Sequence, residues 1–191
     1  MRKIIATEFY TLDGLMSDPQ DQMEWVTAAF SEDLGKYEDD LYNQSDTLIL
    51  GRVTYKIFEG YWPTAGDNPS TPEGEKEMAN KINTATKIVF SKTLKEITWK
   101  NSIIMNEINS EEIKKLKKQN GKDMLIVGSA TIVQQFTNLG LIDEYHFMVH
   151  PVILHEGKPL CNNINEMRSL KLISTRTFSN GVVGLFYETK V

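Results

Sequence analysis

The chain has 191 residues, of which 40% are hydrophobic and 25% are charged, and this composition is typical of a globular protein with a substantial core. Its 21 Lys and Arg residues against 26 Asp and Glu residues give a formal net charge of -5, which disfavours general binding to nucleic acids or anionic membranes. With one cysteine and no apolar run of membrane length, the sequence predicts a single domain over residues 1–191 in the cytoplasm.

The first predicted strand, Lys3–Tyr10, is apolar enough to lie centrally in a sheet. An Asp-Gly turn follows it, formed by Asp13 and Gly14. Asp13 is either a turn residue or a carboxylate at the carboxyl end of a strand, where open α/β sheets bind ligands.

Two further candidate residues follow a polar loop. Trp25 is either part of the core or one wall of a pocket for a flat ring. Ser31 is a plausible N-cap of a helix with Asp33 in its first turn. The Asp33 carboxylate either complements the helix dipole in solvent or projects into a cleft.

The second predicted strand, Asp46–Leu50, runs directly into Gly51, Arg52 and Thr54 at the start of a helix. The planar donor fork of Arg52 suits a phosphate ester. Thr54 either donates to a phosphate oxygen or caps the helix.

The middle of the chain alternates between strands and helices. Residues 61–72 are rich in Pro and Gly and predict a loop, and Glu73–Asn83 predicts a helix. A third strand, Lys87–Phe90, ends in Ser91 and Lys92, whose hydroxyl and ammonium groups suit a phosphate but are also common in loops. A fourth strand is predicted at Thr98–Met105, and Asn109 then begins a helix with Glu112 at capping-box spacing.

The strand–turn–helix pattern recurs at Asp123–Phe136. An apolar strand ends in Gly128, Ser129 and Ala130, after which Ile132 and Phe136 recur at helical spacing. Free N–H groups and the positive end of the helix dipole at such a junction suit a phosphate or pyrophosphate. Two such junctions in one chain, one of them with Arg, indicate a long anionic ligand and fit a dinucleotide better than a mononucleotide.

The C-terminal part is predicted to be β-structure. A long strand, Tyr145–Leu154, contains Pro151, and an Asn-Gly turn joins Leu170–Phe178 to Val182–Lys190 as a hairpin. We therefore predict an α/β fold with a mostly parallel central sheet flanked by helices and antiparallel strands at the C-terminal edge.

Other kinds of site find little support in the sequence. His146 and His150 lie four residues apart on a strand, about 13 Å, which is too far for one metal ion without a further element. Cys161 has no identifiable catalytic partner. The sequence has no G-x-G-x-x-G, G-K-[ST] or G-x-S-x-G motif.

Three segments together resemble the cofactor-binding segments of dihydrofolate reductases, in the same order and at similar spacing. They are LILGRVTY at Leu48–Tyr55, KIVFSKTL at Lys87–Leu94 and MLIVGSATIVQQF at Met124–Phe136. The chain is most similar to the dihydrofolate-reductase-like reductase domain of the bifunctional riboflavin-biosynthesis deaminase/reductase. The S-L-D-G turn of that domain resembles Thr11–Gly14, and its G-L-V-D-E phrase resembles Gly140–Glu144.

The resemblance implies an NADPH-binding reductase of dihydrofolate-reductase-like fold. Its cofactor-binding residues would be Gly14 near the nicotinamide; Gly51, Arg52 and Thr54 at the adenosine-side phosphates; Ser91 and Lys92 near the 2′-phosphate; and Gly128, Ser129, Ala130 and Thr131 around the pyrophosphate. Asp13, Trp25 and Phe58 would lie near the substrate, and Asp13 or, secondly, Asp33 would organise the proton.

The implied reaction is hydride transfer to a pyrimidine- or pteridine-like heterocycle, such as the phosphoribosylamino-pyrimidine of riboflavin synthesis. Alternatives on the same fold are a dihydrofolate-type or xenobiotic reductase and a non-catalytic nucleotide-binding module. The chain departs from the riboflavin enzymes at Leu15 and Met16, where those enzymes have a basic residue, and Glu24–Thr27 does not reproduce the acid-bearing segment of dihydrofolate reductases. The resemblance also implies a homodimer formed through the C-terminal strands.

Overall fold

The structure is a computed structural model that describes residues 1–190. Its strands are β1 (Ile4–Thr11), β2 (Leu15–Ser17), β3 (Ser45–Gly51), β4 (Thr86–Phe90), β5 (Ser102–Met105), β6 (Asp123–Ile126), β7 (Glu144–His150), β8 (Lys158–Pro159), β9 (Leu170–Thr177) and β10 (Val183–Thr189). Its helices are α1 (Glu24–Ala28), α2 (Glu32–Asn43), α3 (Arg52–Glu59), α4 (Trp62–Ala65), α5 (Glu73–Thr84), α6 (Ser110–Lys118) and α7 (Ala130–Asn138). Among the described residues, no helix is both long and apolar enough to cross a lipid bilayer.

Eight of the strands form one sheet in the order β5-β4-β3-β6-β1-β7-β10-β9. The first six run parallel, whereas β10 pairs antiparallel with both β7 and β9. The predicted α/β fold, with a mostly parallel sheet and antiparallel C-terminal edge strands, is therefore confirmed, and β1 lies inside the sheet as its composition indicated.

The central strands are buried on both faces, which explains their continuous apolar runs. In β3, consecutive residues Leu48, Ile49 and Leu50 are each at most 1% exposed, because Ile49 packs against one layer and its two neighbours against the other. Phe136 of α7 belongs to the first core cluster, and Tyr55 of α3 belongs to the second. Helices therefore cover both faces of the sheet and fix where each strand ends.

Local sequence signals located several elements correctly. The helix predicted at Glu73–Asn83 is α5, and the junction after β6 is followed by α7. The Asn109 side chain accepts hydrogen bonds from the N–H groups of Glu111 and Glu112, as expected of an N-cap. In the C-terminal hairpin, Gly181 has a φ of +87°, which its position in the Asn-Gly turn requires.

Two predicted strands are too long. The strand predicted at Thr98–Met105 begins only at Ser102, because Trp99 turns inward and donates from Nε1 to the Asn83 side chain at 2.7 Å. The strand predicted at Tyr145–Leu154 ends at His150, because Pro151 has no N–H for the ladder.

Four short elements were not predicted from the sequence. Residues 24–28 form helix α1, residues 62–65 of the predicted loop form helix α4, and β2 and β8 form a separate two-stranded ribbon. The ribbon pairs Leu15 with Pro159 and Ser17 with Lys158, and thereby closes over the carboxyl end of the sheet. It forms one wall of the site described next.

Candidate functional site

A cleft of about 320 Å³ opens where β3 and β6 end and α3 and α7 begin. The β2–β8 ribbon forms its opposite wall. It is lined by Met16, Ser17, Asp21, Met23, Val53, Thr54, Ile57, Ser129, Ala130, Thr131, Gln134, Lys158, Pro159, Asn162 and Asn163. Thr54, Ser129, Ala130 and Thr131 of the predicted cofactor-binding set therefore meet in one cavity.

Two helices begin at this cleft without a side-chain cap. The N-cap residues Gly51 of α3 and Ser129 of α7 make no capping hydrogen bond with their side chains. The first N–H groups of both helices therefore keep unused donor capacity, and both dipoles are positive at this end. The hydroxyls of Thr54, Ser129 and Thr131 add donors to the same wall, so the chemistry of the wall suits an anion.

Two glycines allow the helix starts to approach each other closely. The Gly51 N–H donates to the Gly128 carbonyl oxygen at 3.0 Å, and the Gly128–Ser129 peptide bond is cis. A Cβ atom on Gly51 would lie 2.6 Å from Ser129 Oγ, and one on Gly128 would lie 2.8 Å from Thr54 Oγ1. Side chains at Gly51 and Gly128 would fill the space between the two helix starts, which we call the cradle. Because it is kept open, a phosphate group could approach the backbone N–H groups there.

The cationic candidates lie at the same edge of the sheet but outside the wall of the cleft. Arg52 is exposed at the first position of α3 and has no ion-pair partner among residues 1–190. Ser91 and the exposed Lys92 follow β4, which is next to β3 in the sheet. The Ser91 hydroxyl accepts hydrogen bonds from the N–H groups of Thr93 and Leu94 and so holds its own turn.

Asp13 is held by the chain that follows β7. Its carboxylate accepts hydrogen bonds from the N–H groups of Leu154 and His155, at 3.2 and 3.0 Å. The hydroxyl of Thr11 also donates to it and, as the largest influence, keeps the pKa of Asp13 below its ordinary value. An ionised carboxylate accepts but does not donate, so Asp13 is better suited to fixing its turn or a substrate amino group than to supplying a proton. Gly14 takes a φ of +84° in that turn.

Asp33 lies against the turn of the C-terminal hairpin, not in the wall of the cleft. It accepts hydrogen bonds from the Ser179 hydroxyl at 2.7 Å and the Ser179 N–H at 2.9 Å. The Ser179 hydroxyl is the main reason that the pKa of Asp33 falls to about 2. This placement indicates that Asp33 joins α2 to the β9–β10 turn.

We expect Asp33→Asn to destabilise the protein at pH 7, and we expect its difference from wild type to shrink as pH falls from about 4 toward 2. A carboxylate with a lowered folded-state pKa stabilises the fold above its unfolded pKa of 3.8, and this contribution disappears as pH falls through about 2. Urea unfolding followed by circular dichroism between pH 2 and 7 measures the difference. Asp40→Asn, an exposed position of the same helix, is the control, and a pH-independent difference at Asp33 would contradict the assignment.

The two aromatic candidates, Trp25 and Phe58, pack against different partners outside the cleft. The Trp25 ring meets the His150 ring edge-on, with centroids 4.8 Å apart, at the end of β7. Phe58 packs edge-on against Trp62 at 6.1 Å and against the core cluster beneath α3. Neither lines the cleft between α3 and α7, so a role of either residue at the substrate requires a ligand that extends beyond this cavity.

Glu8 was not predicted as a site residue from the sequence. It lies in β1, is 3% exposed, and its Oε1 accepts a hydrogen bond from the Gly128 N–H at 2.8 Å. Burial raises the pKa of Glu8 to about 8, and the hydrogen bond from Gly128 only partly opposes this. The sequence feature that could have identified Glu8 is an acidic residue within an otherwise apolar central strand.

Comparison with known proteins gives two kinds of match. A family model described as the RibD C-terminal domain matches residues 2–184. The uncharacterized protein YyaP of Bacillus subtilis (strain 168) is 38% identical over 187 residues, which cover 98% of this chain and 95% of YyaP.

Solved structures share the fold at lower identity. A diaminohydroxyphosphoribosylaminopyrimidine deaminase/5-amino-6-(5-phosphoribosylamino)uracil reductase of Thermotoga maritima is 14% identical, with a TM-score of 0.66 over 99% of this chain and 57% of that one. A dihydrofolate reductase of Enterococcus faecalis, complexed with NADP(H) and RAB-propyl, is 15% identical, with a TM-score of 0.60 over 99% of this chain and 97% of that one.

Proposed function

This chain belongs to the RibD C-terminal domain family, and on that premise we propose that it is an NADPH-dependent reductase that transfers a hydride to a pyrimidine- or pteridine-like heterocycle. One observation carries the proposal. Two uncapped helix starts, joined through Gly51 and Gly128, converge on one cleft at the carboxyl edge of a parallel sheet. Ligands of open α/β sheets bind at this edge.

The residues of the cleft fit the phosphates of a dinucleotide. The N–H groups that begin α7, together with Ser129 and Thr131, would hold the pyrophosphate, and Thr54 would donate from the other side. Arg52 supplies an exposed guanidinium for a further phosphate, and Lys92 follows the neighbouring strand β4 at the same edge of the sheet. When bound, the nicotinamide would supply the hydride, and the protein supplies orientation and a water-poor wall formed in part by Met16 and Met23.

The Thermotoga and Enterococcus proteins support the substrate class. Their names identify a reductase of a ribosylamino-uracil and a reductase of dihydrofolate, which are a pyrimidine and a pteridine. We therefore propose a nitrogen heterocycle of this kind, with 5-amino-6-(5-phosphoribosylamino)uracil as the first compound to test.

Nucleotide binding tests the proposal directly. The purified protein is titrated with NADPH and separately with NADH, and nicotinamide fluorescence is followed. We expect saturable binding with NADPH preferred, and oxidation of NADPH at 340 nm when the correct heterocycle is added. Absence of binding by either nucleotide at millimolar concentration would contradict the proposal, whereas binding without turnover of any heterocycle would favour a non-catalytic nucleotide-binding module.

We also propose a homodimer formed through β9, which is one of the two edge strands of the eight-stranded sheet. Its adjacent residues Leu172 and Ile173 are 52% and 48% exposed, and unpaired strand edges with apolar side chains tend to associate. We expect wild type to sediment as a dimer and Ile173→Lys to sediment as a monomer.

Ile103→Lys is the matched control for that experiment, because Ile103 is 54% exposed on β5 at the opposite edge of the sheet. Analytical ultracentrifugation of both variants separates the two edges. A wild-type monomer at micromolar concentration, or a dimer lost only in the Ile103 variant, would contradict the assignment to β9.

A further inference from the structure

Glu8 lies directly behind the junction that the proposed nucleotide phosphates would contact. Strand β1 pairs with β6, with Ala6 opposite Ile126, so the side chain two residues further along β1 reaches the turn that follows β6. There Glu8 Oε1 accepts the Gly128 N–H at 2.8 Å in a buried setting. A buried carboxyl group that contacts this turn can fix the position of its backbone.

The hydrogen bond from Gly128 belongs to a series that links β1 to the ends of β6 and β3. The Gly128 carbonyl oxygen accepts the Gly51 N–H at 3.0 Å, and Ser129, the next residue, is the N-cap of α7 and lines the cleft. Glu8 of β1 is thereby connected through Gly128 to the starts of both α7 and α3. Movement of Gly128, whose N–H meets Glu8 and whose carbonyl oxygen meets Gly51, would displace groups at the starts of both helices.

The surroundings of Glu8 provide no positive charge in the described part of the chain. Its shifted pKa has two causes, burial and the N–H of Gly128, and no Lys, Arg or His contributes. On the α2 side the titratable groups are Tyr42, whose pKa is raised by burial and further by the charges of Glu38 and Glu8, and Glu38 itself. From α3, Thr54 meets Gly128 with an uncharged hydroxyl.

Loss of the Glu8 proton would therefore place an uncompensated negative charge one hydrogen bond away from the Gly128–Ser129 turn. Burial raises the pKa of Glu8 to about 8, so the carboxyl group is mainly neutral at pH 7 and ionises just above it. A buried charge is poorly screened, and it would oppose an anionic ligand in the same cradle.

We propose that Glu8 is a positioning residue that holds the Gly128 turn and makes nucleotide binding weaken when its carboxyl group loses its proton. This inference rests on the proposed function, because the ligand affected is the nucleotide. The sign follows from linkage: a bound anion favours protonated Glu8, so affinity is highest below the pKa of Glu8 and falls as pH rises through it.

The test is an NADPH titration by nicotinamide fluorescence between pH 6.5 and 9.5 with wild type, Glu8→Gln and Glu107→Gln. We expect the wild-type Kd to rise about tenfold over this range, which corresponds to a shift of one pKa unit on binding. Glu8→Gln keeps an acceptor for the Gly128 N–H, so its Kd should match wild type at pH 6.5 and stay nearly constant to pH 9.5. The exposed Glu107 is a matched control and should behave as wild type.

A second measurement on wild type alone covers the case in which Glu8→Gln does not fold. The backbone amide resonance of Gly128 should titrate with a midpoint near pH 8, and saturating NADPH should move that midpoint upward by about one unit. A merely structural hydrogen bond would not produce that shift.

The outcomes separate this inference from the proposed function. Parallel pH profiles of wild type and Glu8→Gln, or a Gly128 amide that does not titrate between pH 6.5 and 9.5, would overturn the role of Glu8 and leave a nucleotide-binding reductase intact. Absence of NADPH binding at every pH would instead overturn the proposed function and this role with it.

Discussion

Replacing Gly128 by alanine is expected to weaken NADPH binding by about 5- to 150-fold, the loss that about 1–3 kcal/mol of overpacking at the Gly51–Gly128 junction would cause. Gly128 has a φ of +69°, and a Cβ atom there would lie 2.8 Å from Thr54 Oγ1 and 3.1 Å from Met16 Cε. Relief of that overlap must move Thr54, the Gly128 peptide group or both, and each belongs to the wall of the cleft. Fluorescence titration with NADPH measures the loss.

Gly140→Ala is the matched control for this substitution. Gly140 also has a positive φ, +62°, but a Cβ atom there would have no neighbour within 4 Å. Alanine in this conformation costs roughly 1–2 kcal/mol of stability wherever it occurs, so both variants should lose thermal stability, while only Gly128→Ala should lose affinity. Wild-type affinity in Gly128→Ala would show that the cradle is not where the phosphates bind.

The parts of the site that could be predicted from sequence depend on neighbouring residues. An apolar strand, a glycine and a helix pattern follow one another within a few positions at Gly51 and again at Gly128. Chain connectivity alone then places helix N-termini at the ends of strands. The parallel order of β3, β4 and β6, which brings those ends to one edge, follows from the alternation of strands and helices.

The roles of the carboxylates could not be predicted, because their partners lie far away in the chain. Asp33 binds Ser179, 146 residues later, and Asp13 binds the N–H groups of Leu154 and His155. From sequence, Asp13 could be assigned only to a turn or to a ligand site at the end of a strand. Asp33 could be assigned only to a helix start or to a cleft. The fold decides between these alternatives by supplying N–H and hydroxyl donors that sequence spacing does not reveal.

The β2–β8 ribbon, which forms the wall opposite the two helix starts, also could not be predicted from sequence. Strands β2 and β8 have three and two residues, too few for an alternating pattern. They form because Leu15 and Ser17 pair with Pro159 and Lys158, which are distant in sequence but adjacent in the fold. Glu8 is the converse case, since an acid in an apolar strand was visible in sequence, but its acceptor role toward Gly128 depends on the β1–β6 register.

Arg52→Ala is expected to weaken NADPH binding about 10- to 100-fold and NADH binding only slightly, since one charge-assisted hydrogen bond contributes roughly 1.5–3 kcal/mol. The exposed Arg52 guanidinium, without an ion-pair partner in the described chain, is free to meet the phosphate that distinguishes the two nucleotides. Titration of both nucleotides against wild type and variant gives the ratio of the two losses.

Lys56→Ala provides the control for loss of a positive charge on the same helix. Lys56 lies one turn beyond Arg52 and is paired with Glu59 at 2.6 Å, so its removal should leave both nucleotide affinities nearly unchanged. Equal losses of NADPH and NADH in Arg52→Ala would place the guanidinium on the shared pyrophosphate. No loss of either would remove Arg52 from the site, and the selectivity for a third phosphate would then have to come from Ser91 and Lys92, which follow the neighbouring strand at the same edge of the sheet.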